Sequence, residues 1–523
     1  MAEQNMEKRT SKRDVRSGGA SKPAAQNAAA QRGRGEAERG GGGAPLDDGL
    51  PAPDEVRAEF DRLRARDSEL AVRYLHGLSL GSGYVGDDGA RSIRWTGKSP
   101  CGELECSINL AKPEKDPRDI EAAAHEDGTP TAGKAAGRGP GAPVPRCELC
   151  WENEGFPGSP GHPAKPGLRI AYVELGGERW GLFYSPYAYF EEHCIVASEE
   201  HRPMCIDGAC LERLLGFVDA FPFYFLGSNA DLPLVGGSIL SHDHFQGGRH
   251  VFPLMKAPIE RDFPLEGFPG VEAGIVRWPA STVRLVGKDR AHVAKAAAHI
   301  LQTWRDFAFE PCSVRPFSEL PSGAREQHST ITPVARKEGG AYILDLVLRN
   351  NRADEQHPWG IFHPGEELHH LKKENIGLIE IMGLAIFPAR LANELPQVQD
   401  ALVRAARKND APDLLEARLR KDPAAAPHAA WAADVYARRA EELRTPWAGD
   451  GAGLATDGGS ILHPVVADEL TAAFASILET TGVFKRDAAG RAGWDAFAQA
   501  VNGKARAQAN KAPAAAMAQP HPA

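Results

Sequence analysis

Residues Asp231 to Gly248 read D-L-P-L-V-G-G-S-I-L-S-H-D-H-F-Q-G-G, and no other stretch constrains the fold as tightly. Leu232, Leu234 and Val235 form a short apolar approach that the pair Gly236-Gly237 breaks. Ser238 to Ser241 resumes an extended pattern and delivers His242, Asp243, His244, Phe245 and Gln246 onto one strand end. Alternation along a strand predicts His242, His244 and Gln246 on one face and Asp243 and Phe245 on the other. A buried strand with satisfied histidines would carry such residues without function. Two imidazoles and a carboxamide between two Gly-Gly pairs point instead to a polar site. A neutral imidazole can attack phosphorus, and a neighbouring amide can donate to a phosphoryl oxygen. The glycines let backbone N–H groups approach a phosphate with no Cβ in the way.

The rest of the chain sets the frame. Its 523 residues suggest about two to four domains, and 42% hydrophobic with 25% charged residues is a globular balance. A net charge of −9 argues against nucleic acid as the main partner. No apolar run reaches membrane-spanning length, and the N-terminus lacks a secretory h-region, so no membrane association is expected. Eight scattered cysteines form no disulfide framework, which points to a reducing cytoplasm.

Composition predicts a disordered tail over residues 1–55, a flexible Ala/Gly/Pro insertion near 121–145 and a second disordered tail over 504–523. Val56, Phe60, Leu63, Leu70, Val72 and Leu75 recur at helical spacing. Leu168 to Ala197 reads as strands, with a hairpin at Gly176-Gly177. Proposed domains cover 56–275 and 276–400, followed by a helical region over 401–503.

C-E-L-C, Cys147 to Cys150, reads as half a zinc site, a redox pair or two plain loop cysteines. Without a βαβ context, zinc is the better match. Arg249, His250 and Lys256 add positive charge after the signature, while His363, His369 and His370 offer a second metal reading.

H-D-H-F-Q resembles the H-x-H-x-Q signature of the histidine-triad superfamily. The whole of Asp231–Gly248 closely resembles the active-site signature of the second type of galactose-1-phosphate uridylyltransferases, with Leu234 where isoleucine is usual. I-N-L-A-K-P-E-K-D-P (Ile108–Pro117), S-T-I-T-P-V-A-R-K (Ser329–Lys337), A-Y-I-L-D-L-V-L-R-N-N (Ala341–Asn351) and Ile361–Leu391 extend the likeness over roughly 90 to 392.

The resemblance implies an α+β fold with two histidine-triad-like halves, antiparallel sheets and flanking helices in one chain. It implies transfer of UMP from UDP-glucose to galactose 1-phosphate, with His244 as nucleophile and Gln246 as its phosphoryl-oxygen donor. Gly236, Gly237, Ser238, Asn229, Arg249, Lys372 and Glu380 are the expected substrate-binding residues; Lys372 and Glu380 echo a sugar-contacting segment of the first enzyme type only loosely. Cys147, Cys150, His201 and His242 would hold a structural zinc ion, with His193 competing for the third place. No organic cofactor is expected, and a homodimer is one assembly open to the chain. A nucleotidyl phosphorylase or dinucleoside polyphosphate hydrolase would use the same histidine, and a zinc-stabilised UDP-sugar-binding regulator would use none.

Overall fold

Runs of β-branched and aromatic residues punctuated by glycine build most of the strands. Gly176 and Gly177, both at positive φ (61° and 79°), make the two-residue turn that the right-handed strand twist favours. The computed structural model describes residues 49–86, 92–112, 114, 145–159, 162–446 and 462–516, with side chains through 505. The expected tail up to 48, the insertion from 121 to 144 and residues 517–523 lie outside them. In chain order the strands are β1 (Ile93–Ser99), β2 (Gly102–Ile108), β3 (Ala171–Leu175), β4 (Glu178–Tyr184), β5 (Cys194–Ser198), β6 (Phe225–Gly227), β7 (His244–Gly248), β8 (Ile259–Asp262), β9 (Val271–Val276), β10 (Thr282–Gly287), β11 (Phe317–Glu319), β12 (Arg325–Gln327), β13 (Ser329–Glu338), β14 (Ala341–Asn350) and β15 (Leu384–Phe387).

Ten of them form one sheet in the order β3-β4-β5-β7-β6-β13-β14-β10-β9-β8. Read inward from its two edges, the sheet repeats itself. The first half runs β3-β4-β5-β7-β6 and the second β8-β9-β10-β14-β13, with antiparallel pairing throughout. A helix follows the third strand of each half, Gly208–Ala220 and Arg290–Trp304. The halves meet where β6 pairs antiparallel with β13, Leu226 opposite Ala335 and Gly227 opposite Val334. This α+β arrangement is the one expected, although the two halves share a continuous sheet.

One face of that sheet buries Phe245, Leu344 and Leu346 against Leu211, Leu215, Val293 and Ile300 of the two helices. Helices Pro53–Arg64 and Ser68–Gly81, over the stretch with helical spacing, add Val56, Phe60, Val72 and Leu75 to the same core. The other face behaves differently in its two halves. Directly paired residues share a face, so Ile195, Gln246, Gly227, Val334, Asp345 and Arg284 form one row across the sheet. Over the second half, Val334 and Val347 are covered by a core built from Leu378, Ile381 and the helices Leu391–Lys408, Ala429–Leu443 and Pro464–Thr481. Over the first half the row opens into a cleft. Gly227 marks the border, because a Cβ there would meet the Leu378 side chain at 2.8 Å.

β1, β2 and β15 form a separate small sheet, with β15 parallel to β2. The last helix runs Ala488–Ala516, past residue 503 where the helical region was expected to end. Among the described residues no helix is long and apolar enough to cross a membrane.

Candidate active site and metal-binding cluster

β7 begins at His244, later than the sequence suggests, because residues before it bond to a bend instead of a ladder. The Asp243 N–H donates to the Arg202 carbonyl at 2.7 Å, and the Ser198 N–H donates to the Asp243 carbonyl at 3.0 Å. From His244 the alternation holds. Phe245 faces the core and stacks on Trp180 with ring centroids 4.8 Å apart, while His244 and Gln246 face the cleft.

The His244 ring is buried, and its Nδ1–H donates to the main-chain carbonyl of His242 at 2.8 Å. That bond fixes the tautomer and leaves the lone pair on Nε2. Burial pushes the imidazolium pKa down to about 4, so the ring is neutral near pH 7.

His242 turns its ring away from the cleft into a cluster with Cys147, Cys150 and His201. Cys147 Sγ lies 3.3 Å from His242 Nδ1, Cys150 Sγ 3.1 Å from His201 Nδ1, and the two sulfurs are 3.7 Å apart. All four donor atoms lie within 4.8 Å of one another, and among the described residues this is the only such group. The cluster can hold a metal ion. Its outer support is present too, for His242 Nε2–H donates to the Ser198 carbonyl at 2.9 Å and orients the ring. Cys150 is driven towards thiolate chiefly by its hydrogen bond with Cys147, with His242 and His201 assisting.

The cleft has about 1230 Å3 of empty space, mouth included. Of the residues expected at the substrate, Asn229, Gly236, Gly237, Ser238 and Glu380 line it together with His244 and Gln246. Asn229 Oδ1 accepts the Leu378 N–H at 2.8 Å, tying the glycine loop to the segment that crosses the sheet. A Cβ on Gly236 would collide with the Ala230 carbonyl, and one on Gly237 with the Asn229 amide. These glycines are therefore required by close backbone approach. Leu234 adopts φ 65° in the same loop, where a β-branched isoleucine would be still more crowded.

Two expected residues do not line the cleft. Arg249 lies on the opposite face by strand parity; it pairs with Glu69 at 3.0 Å and Glu192 at 3.2 Å and covers the Phe223 ring. Lys372 is fully buried behind the wall, where its ammonium pairs with Glu380 at 2.8 Å and Glu374 at 3.1 Å. His250 and Lys256 are drawn to Glu105. His363 and His369 meet at the Pro364 carbonyl while His370 turns to His428, so the three do not gather into one ligand set.

Lys112, Lys165, Glu374, Asn375 and three tyrosines also line the cleft without having been singled out from sequence, and His193 lines it in a place other than the one expected. Lys112 Nζ meets Glu374 Oε2 at 2.5 Å. Only the I-N-L-A-K segment carried any hint of it. His193, the competing metal ligand, is engaged elsewhere, its Nε2 3.0 Å from Gln246 Oε1.

A strand-end imidazole, a carboxamide two residues on and a Cys/His cluster beneath keep the H-x-H-x-Q arrangement that resembles the histidine-triad signature. Comparison with known proteins narrows this class. Family models described as galactose-1-phosphate uridyl transferase, N-terminal domain and C-terminal domain, match residues 20–203 and 217–414. A galactose-1-phosphate uridylyltransferase of Bacillus subtilis is 43% identical over 458 residues, covering 87% of this chain and 81% of that protein. The Clostridium acetobutylicum enzyme is 41% identical over 452 residues, covering 86% and 82%. The one from Halalkalibacterium halodurans is 42% identical over 456 residues, covering 87% and 82%. The chain belongs to the galactose-1-phosphate uridylyltransferase family.

Proposed function

We propose that the protein transfers UMP from UDP-glucose to galactose 1-phosphate in galactose metabolism, by double displacement through a uridylyl-histidine on His244. The observation that carries the reading is the hydrogen bond from His244 Nδ1–H to the His242 carbonyl, which presents a neutral Nε2 lone pair in the cleft. In the first step Nε2 attacks the α-phosphorus, an N–P bond forms and glucose 1-phosphate leaves with the bridging oxygen. In the second, a phosphate oxygen of galactose 1-phosphate attacks the same phosphorus and the N–P bond breaks. No strong general base is needed, because the imidazole is already nucleophilic and the incoming phosphate already ionised.

Gln246 donates to a nonbridging oxygen as charge builds there. Asn229, Ser238 and the backbone at Gly236-Gly237 support the phosphates. Glu380, with Glu374 and Lys112, faces the sugar end. Lys372 acts behind them by holding both carboxylates in place.

The Cys147, Cys150, His201 and His242 donor set fits zinc, two thiolates and two imidazole nitrogens suiting a closed tetrahedral site. A bound zinc ion supplies a fixed cross-link and takes no part in the transfer. His242 thereby couples the cluster to the cleft, since its carbonyl holds the His244 tautomer. All eight cysteines are unbridged, which supports a cytoplasmic setting.

Isotope exchange tests the reading. The protein should exchange labelled glucose 1-phosphate into UDP-glucose with no galactose 1-phosphate present. Absence of exchange, or discharge by water or inorganic phosphate alone, would replace it with a regulator or with a hydrolase or phosphorylase.

A further inference from the structure

A primary carboxamide has two ends of nearly equal shape, and only its NH2 end can stabilise a phosphoryl oxygen. Gln246 is held one way round. Its Oε1 lies 3.0 Å from His193 Nε2, so an N–H on that nitrogen occupies the oxygen and turns the NH2 end elsewhere.

His193 is built to do this. It directly precedes β5, on the same face as Ile195, the residue that pairs with Gln246. Its ring is 3% exposed, stacked on Tyr189 at 5.0 Å and packed against Phe190 at 4.8 Å. Its backbone is fastened as well, the Ser185 N–H donating to its carbonyl at 2.8 Å. Burial pushes its imidazolium pKa down to about 4, so near pH 7 the ring has a single N–H, which the Gln246 oxygen places on Nε2. Nδ1 is then a bare acceptor, buried and without a hydrogen-bond partner.

We propose that His193 is a positioning residue for uridylyl transfer, its Nε2–H fixing the Gln246 carboxamide so that the NH2 end faces the α-phosphoryl oxygen. The inference rests on the role given to Gln246 above, and the two can fail separately.

The test uses the full chain and measures the single-turnover rate of uridylyl-enzyme formation from UDP-glucose, with the unfolding midpoint of each variant as a control. His193→Phe keeps a ring for Tyr189 and loses the donor. His193→Gln loses the ring and returns an N–H near the place of Nε2. Gln246→Ala should slow the step by about 10²–10³-fold, the usual cost of one such donor. His193→Phe should slow it by roughly 10-fold or more with the KM for UDP-glucose nearly unchanged, since an interaction made only in the transition state is weakened. His193→Gln should stay within about threefold of wild type. The double variant His193→Phe with Gln246→Ala should be no slower than Gln246→Ala alone, because residues acting through one contact are not additive. A wild-type rate in His193→Phe, or a His193→Gln rate as slow as that of His193→Phe, would overturn the positioning role while leaving Gln246 in place. A double variant slower by the product of the single effects would also overturn it. A wild-type rate in Gln246→Ala would remove Gln246 itself, and the role of His193 with it.

Discussion

At the residue scale the proposed chemistry depends on one nitrogen. His244 is nucleophilic because its proton is committed to the His242 carbonyl, and because a cation would be poorly solvated at its buried position. His244→Ala should therefore abolish uridylyl transfer, with circular dichroism checking that the variant remains folded. Residual transfer above about one part in 10⁴ would assign the nucleophile elsewhere. Asn229→Ala probes a different function. It strands the buried Leu378 N–H, an expected loss of about 1–3 kcal/mol in denaturant titration, and it loosens the glycine loop. At this scale the signature was legible from H-D-H-F-Q and its glycine pairs. The outer cations were not, because charge alone does not tell a residue's face. Arg249 stands an odd number of positions from His244 and so meets Glu69 and Glu192 instead.

At the scale of elements, the same sheet face serves two ends. In the first half the row carries Gln246; in the second it carries Asp345, fully buried between Arg284 at 2.6 Å and Arg336 at 2.7 Å. Asp345→Asn leaves two guanidinium groups without their shared counter-charge and should destabilise the fold by about 3–5 kcal/mol, with metal content unchanged. The metal cluster gives the complementary result. Cys150→Ser should take zinc from about one ion per chain to near none and lower the unfolding midpoint; equal zinc in variant and wild type would exclude Cys150 as a ligand. Helices and the Gly176-Gly177 hairpin could be read from periodicity and turn chemistry. A boundary at 275 falls inside the single strand Val271–Val276, β9. A sheet running through both halves leaves no local mark, because the β6–β13 pairing joins residues about a hundred positions apart.

On the scale of the whole molecule, the buried histidines set a pH window. His193 and His363 have folded pKa values pushed to about 4, and His370 to about 3, all chiefly by burial. Their unfolded values lie near 6.5, so both states are neutral above that pH and stability is at its full value there. As the pH falls below about 6.5 the unfolded chain takes up protons first, and stability declines until the folded values near 4 and 3 are passed. Each pKa unit corresponds to about 1.4 kcal/mol. The calorimetric midpoint should thus be flat from pH 7 to 8 and fall steeply between 6 and 4. A midpoint independent of pH over that range would show that these rings are reached by water.

The central claim is that UMP rests on the protein between two sugar phosphates, and intact-protein mass after mixing with UDP-glucose tests it most directly. We expect a gain of one uridylyl group, absent in His244→Ala and removed by galactose 1-phosphate with release of UDP-galactose. An unchanged mass in the wild-type protein while UDP-galactose still accumulates would contradict the account, because transfer would then pass directly from one sugar phosphate to the other.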